Sequence, residues 1–230
     1  MTIEASGAIS LGTTAGTNRS ISAEFGGTQP HSISEYYRDG SYSDGINIPS
    51  GETGIPASGE IAFSDFHGTA SLSATTYYSS LEADSYFADQ NAIAYYNLEV
   101  FYLNGNIDVK ADANADGDAY SLSPANNTTL YRISGAPSGY TVRLGTITTN
   151  SGGDHTTTGT TIGTSATSIP TSPSLVRANF KVESGGSFEE AGYAFTNISG
   201  SLIFEKSGST TFTYNWTIQL AAETEGSGGE

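Results

Sequence analysis

The stretch TFTYNWTIQL, residues 211–220, decides the fold. Phe212, Tyr214, Trp216, Ile218 and Leu220 fall on one side of an extended chain. Thr213, Asn215, Thr217 and Gln219 fall on the other. A period of two, with large apolar groups on one face and hydroxyls and amides on the other, marks a strand half in a core and half in water. Working outward, LVRANFKVE (175–183) repeats the pattern with Val176, Ala178, Phe180 and Val182 inward. AYYNLEVFYL (94–103) does so with Ala94, Tyr96, Leu98, Val100 and Tyr102. GYTVRLGTI (139–147) alternates through Tyr140, Val142 and Leu144, then slips at Gly145 as a bulge would. TLYRIS (129–134) and SGSLIFEK (199–206) add two more runs, and NGN (104–106), SGAPSG (134–139) and KSGS (206–209) supply turns between runs. About eight short strands separated by turns predict an all-β domain over residues 71–230, an antiparallel β-sandwich or jelly roll.

Residues 1–70 read differently. Gly and Ser are frequent there, and apolar residues come singly or in pairs. One phrase recurs three times: SISAEFGGT (20–28), SISEYYRDG (32–40) and AFSDFHGTA (62–70). Each places Ser before Glu or Asp, then an aromatic, then Gly. Ser suits a helix N-cap, an acidic residue in the first turn suits the helix dipole, and Gly closes the turn. The phrase predicts a short helical turn carrying one aromatic. Two strand-like phrases, SGAISL (6–11) and SGEIAF (58–63), flank the set. The plainer alternative is a Gly/Ser linker with chance repetition, but shared order over several positions argues against drift. With so few large apolar groups, this segment is not expected to build a core of its own. It is expected to be an irregular docking module that plants Phe25, Tyr36 with Tyr37, and Phe66 on another surface, with Arg38 as the charged contact.

The chain carries 24 acidic against 8 basic side chains, a formal net charge of −16. Phosphate contacts need Lys and Arg, so nucleic acid is not an expected partner. Absence of cysteine removes disulfide and thiolate chemistry. MTIEASGAISLGTT lacks the basic start and apolar run of a signal peptide, and no stretch has the length of apolar residues that spans a bilayer. Membrane insertion is therefore not expected. The Asn-x-Ser/Thr sites at Asn18, Asn126, Asn127, Asn197 and Asn215 are what a Ser/Thr-rich chain produces by chance.

SGAISL, SAEFGGTQPHSISEYYRDG and IPASGEIAFSDFHGTA resemble units that recur in virion structural and tail-fibre proteins of tailed bacteriophages, especially those of aquatic bacteria. The resemblance covers residues 5–70. It departs at SLGTT, where no acidic residue follows SGAIS. It implies a virion protein assembled in the host cytoplasm, with other virion proteins as partners. A homo-oligomer, a trimer foremost, follows if the chain is a tail or neck fibre or appendage. A capsid decoration protein and a sugar-binding adhesin that meets a host-surface glycan are the alternatives.

Signals for chemistry are sparse. In KADANADGDAY (110–120), Asp112, Asn114, Asp116, Gly117 and Asp118 match the first half of a calcium loop. Position 12 is Ser123 rather than Glu. A strand–loop–strand calcium site completed by an outside carboxylate is one reading, and an acidic hairpin loop is the other. His31, His67 and His155 are far apart, and Asp154 with His155 reads as a surface loop. Glu189 and Glu190 are adjacent and diverge on a strand. Glu82, Asp84 and Asp89 have no spacing that argues for an acid/base pair across a cleft. No nucleophile elbow, zinc-protease motif or phosphate loop is present. The expectation is a non-enzyme with no certain cofactor.

Overall fold

A computed structural model describes residues 3, 9–12, 20–25, 30–37, 55–56, 58–66, 72–87, 92–116, 118–136, 138–151, 155–156, 162–184, 191–206 and 211–225. Its strands are β1 (Ser73–Thr76), β2 (Ser80–Phe87), β3 (Ile93–Leu103), β4 (Asn106–Asp116), β5 (Ala119–Ser123), β6 (Thr129–Ser134), β7 (Thr141–Leu144), β8 (Thr148–Ser151), β9 (His155–Thr156), β10 (Thr167–Ser168), β11 (Val176–Glu183), β12 (Gly192–Glu205) and β13 (Phe212–Thr224). They form two sheets. One runs β1-β6-β4-β3-β11-β9; the other runs β10-β7-β12-β13-β2-β5, with β8 also on β12. The chain is an all-β sandwich, as the alternation predicts.

The apolar faces meet between the sheets. Tyr214, Trp216, Ile218 and Leu220 of β13 are buried, as are Ala178, Phe180 and Val182 of β11 and Tyr96, Leu98 and Val100 of β3. Rings lock the layers together: Phe180 lies 4.9 Å from Trp216, and Tyr131 stacks on Phe204 at 5.7 Å and on Tyr214 at 5.0 Å. Buried phenols need acceptors. Tyr214 donates to the Tyr78 carbonyl at 2.7 Å, and Tyr96 to the Pro124 carbonyl at 3.3 Å. Burial pushes the Tyr131 hydroxyl up to about 12.

Two turn readings hold in detail. Asn104 and Gly105 both have positive φ, at 52° and 75°, the combination a two-residue hairpin of the I′ type requires between β3 and β4. The slip at Gly145 is also present. Leu144 pairs with Leu202 and Thr148 with Ser199, so three residues of one strand face two of its partner. Opposite that slip, Gly200 lies under the Trp216 indole. A Cβ there would come within 2.7 Å of the ring.

Three expectations are corrected. The seven-stranded sheet is mixed, because β13 pairs with β2 in parallel, Thr217 to Ser80 through Thr224 to Phe87. Alternation gives a strand's faces but not its direction. More than eight strands are present, since the short β1, β5, β8, β9 and β10 carry too few apolar residues to announce themselves. Finally, the segment before residue 70 does have a core. Ile3, Ile21, Phe25, Tyr36, Ile55 and Phe66 are buried together, in a cluster separate from the sandwich core. Three small units, each contributing one ring and an isoleucine or two, bury jointly what none buries alone.

Candidate functional site

The repeated phrase folds as three versions of one turn. In the second copy, residues Ile33–Tyr36 form a 3-10 turn. The Glu35 amide donates to the Ser32 carbonyl at 3.1 Å, and the Ser32 amide donates to the Glu35 carboxylate at 3.0 Å. The third copy, Phe63–Phe66, repeats this. There the Asp65 amide donates to the Ala62 carbonyl at 3.1 Å, and the Ala62 amide to the Asp65 carboxylate at 2.8 Å. The conserved-looking acidic group is thus a local clasp, satisfying an amide that a short turn leaves orphaned. The first copy has one extra residue, Ala23, and becomes an α-turn, Ile21–Phe25, capped by Ser20. The Ala23 amide donates to Ser20 Oγ at 3.3 Å and the Glu24 amide to the Ser20 carbonyl at 3.2 Å.

Each turn ends on its aromatic, and the three rings meet. Phe66 sits 6.3 Å from Phe25 and edge-on to Tyr36 at 6.4 Å. The Tyr36 hydroxyl is hydrogen-bonded to His31 Nδ1 at 3.1 Å. Phe25, Tyr36 and Phe66 are therefore the inside of the module and are not free to be planted on another surface, which corrects the anchor reading of those three. Tyr37 is half-buried and donates its hydroxyl to the Gly59 carbonyl, tying the second copy to the phrase before the third. Arg38 lies outside the described residues. The sequence reading missed Phe63, which is 43% exposed. Its signal was visible: the first turn residue is Ile in two copies and Phe in the third.

From Asp112 to Asp116 the acidic run is strand rather than loop. Asp112, Asn114 and Asp116 lie on the outward face of β4, while Ala111, Ala113 and Ala115 are buried between them. Alternate residues of a strand stand about 7 Å apart, too far for three side chains to close round one calcium ion. Instead they are used laterally: Asn97 Nδ2 donates to Asp112 at 3.1 Å, and Asn114 Nδ2 to the Tyr95 hydroxyl at 3.0 Å. Asp118 precedes β5, and Gly117 lies outside the described residues. Among the described residues no group of three or more His, Asp or Glu could hold a metal ion. His31 serves Tyr36; His67, Asp89, Asp154, Glu189 and Glu190 lie outside the described residues.

The outward face of the seven-stranded sheet gathers what no motif announced. Glu82 and Asp84 stand on one side of β2. Hydrogen bonding to Asp84, then its charge, raises the Glu82 carboxyl above the usual range. Next along, hydrogen bonding to Glu225, then burial and the charges of Glu225, Glu223 and Asp118, raise the Tyr86 hydroxyl. Tyr193 of β12 is 60% exposed. Register places Tyr193, Glu223, Tyr86 and Ala119 in one row across four strands, and Phe195, Ala221, Asp84 and Ser121 in the next. Small residues between large ones leave a hollow of about 420 Å³. A second hollow on the same sheet, about 630 Å³, lies at the slip beside Gly145 and is lined by Thr146, Thr148, Ser199, Ser201, Asn215 and Thr217 among others.

Compared with family models, with curated proteins and with solved structures, the chain matches none.

Proposed function

We propose that the chain is a structural component of a tailed-phage particle, a tail or neck appendage protein that attaches through its N-terminal module and displays its sandwich. The observation that carries this reading is the pair of separate cores. Repeats that resemble virion units build a small self-contained body, and the remainder of the chain builds a larger one. Attachment and display are then separate tasks of separate bodies. Because the three phrase rings are spent inside, attachment falls to the outside of the module, to Phe63 and the neighbourhood of Tyr37.

Immunogold electron microscopy of the parent particle, with antibody against the sandwich, tests the reading. Label at the tail or neck supports it. Label spread over the head makes the chain a decoration protein and the module a capsid clamp. No label on particles ends the virion reading altogether.

A further inference from the structure

We propose that the outward face of the seven-stranded sheet is a binding face for an extended, uncharged saccharide, with Tyr193 and Tyr86 as its stacking platform. Tyr193 and Tyr86 belong to the same cross-strand row and stand two strands apart, about 10 Å. Ala221, in the next row, leaves the floor between them low. The hollow is shallow and open, as a face that takes an extended chain along its surface would be. A pyranose ring presents an apolar face of C–H groups and an edge of hydroxyls. Phenol faces meet the first and carboxylates accept from the second.

The charges select among saccharides. Asp84 and Glu223 line the hollow, and among the described residues no Lys or Arg does. Oxygen acceptors without a cation suit hydroxyl donors and repel uronic, sialic or phosphorylated sugars.

The face is longer than one sugar. From the Tyr193–Glu223 row to the Ser199–Thr217 row is six residues along β13, about 20 Å. The second hollow opens there, lined by hydroxyls and the Asn215 amide rather than by charges. Between the two lies Asn197, paired with Gln219, whose Oδ1 is buried without a hydrogen-bond partner. A ligand running along β13 would cross aromatic, amide and hydroxyl subsites in turn.

This inference gives the displayed sandwich of the appendage reading a ligand, and rests on that reading only for where the ligand is met. The test is binding of the full chain to an array of neutral and acidic saccharides of increasing length, followed by titration of the strongest neutral binder. The expected result is neutral-selective binding that strengthens with length. Tyr193→Ala should weaken it about tenfold, while Tyr77→Ala, at an exposed tyrosine that follows β1 at the edge of the other sheet, leaves it unchanged. Tyr193 is exposed, so its loss should not unfold the sheet, and an unchanged melting curve verifies that. No binding, a preference for acidic saccharides, or full binding by Tyr193→Ala overturns the proposal. Particle labelling is independent of all three outcomes, so failure of the virion reading is distinguishable from failure of this one.

Discussion

Single side chains in this protein differ sharply in what they can lose. Asp108 is fully buried and takes a two-pronged contact from Arg132, at 2.5 and 2.8 Å. Arg132→Met would strand a buried carboxylate, with an expected loss of roughly 3–5 kcal/mol, measured by denaturant titration. The surface pair Arg143–Glu205 has similar geometry but lies in water, and its removal should be nearly silent. Gly200 is constrained by space rather than by charge. Gly200→Ala pushes a methyl into the indole of Trp216, and a cost of about 1–3 kcal/mol is expected in the same titration. Glu82 gives a pH signature. Its folded-state carboxyl is raised, so the folded chain holds that proton more tightly than the unfolded chain does. The resulting stability is full below the ordinary value of 4.5 and is lost as pH rises through the raised value. Glu82→Gln should therefore melt higher than the parent at neutral pH, with the gap closing on acidification. A gap that widens in acid would contradict the raised Glu82 carboxyl.

At the level of elements, legibility followed side-chain size. β3, β11 and β13 were readable because large apolar residues mark most inward positions. β4 was hidden in plain view: Ile107, Val109, Ala111, Ala113 and Ala115 alternate, but three of the five are alanines, and the polar positions between them spelled a calcium loop. The repeated turns were legible as turns and misread in direction. Local rules predict that an acidic residue caps and that an aromatic follows; they do not say that Phe25, Tyr36 and Phe66 will find each other across 40 residues of chain. The outer-face hollow was illegible for a related reason. Tyr193 and Tyr86 become neighbours only through two strand pairings, one of them parallel.

Across the whole molecule, two separate cores imply two separate stabilities. Among the described residues, the module's six buried apolar side chains form a marginal core, and Phe66 is at its centre. Deleting that ring is worth about 3–5 kcal/mol, as much as so small a body holds. Phe66→Ala is expected to abolish protection of module amides in hydrogen exchange while the sandwich keeps its own. It should also stop incorporation into particles. Phe63→Ala should stop incorporation with both bodies still protected, since that ring is outside. Equal loss of protection in both bodies after Phe66→Ala would show a single cooperative unit.

The parallel seam between β13 and β2 has one more consequence. β13 lies in the interior of its sheet, with β12 on one flank and β2 on the other, and β2 carries β5. β2 is the second strand of the sandwich and β13 the last, so a nascent chain must hold β2 and β5 without their seat until residues 212–224 leave the ribosome. A chain cut short between β12 and β13 presents two half-sheets with open edges, which invite wrong pairing. The seam therefore makes this sheet wait for β13: until residues 212–224 are made, neither half has its partner.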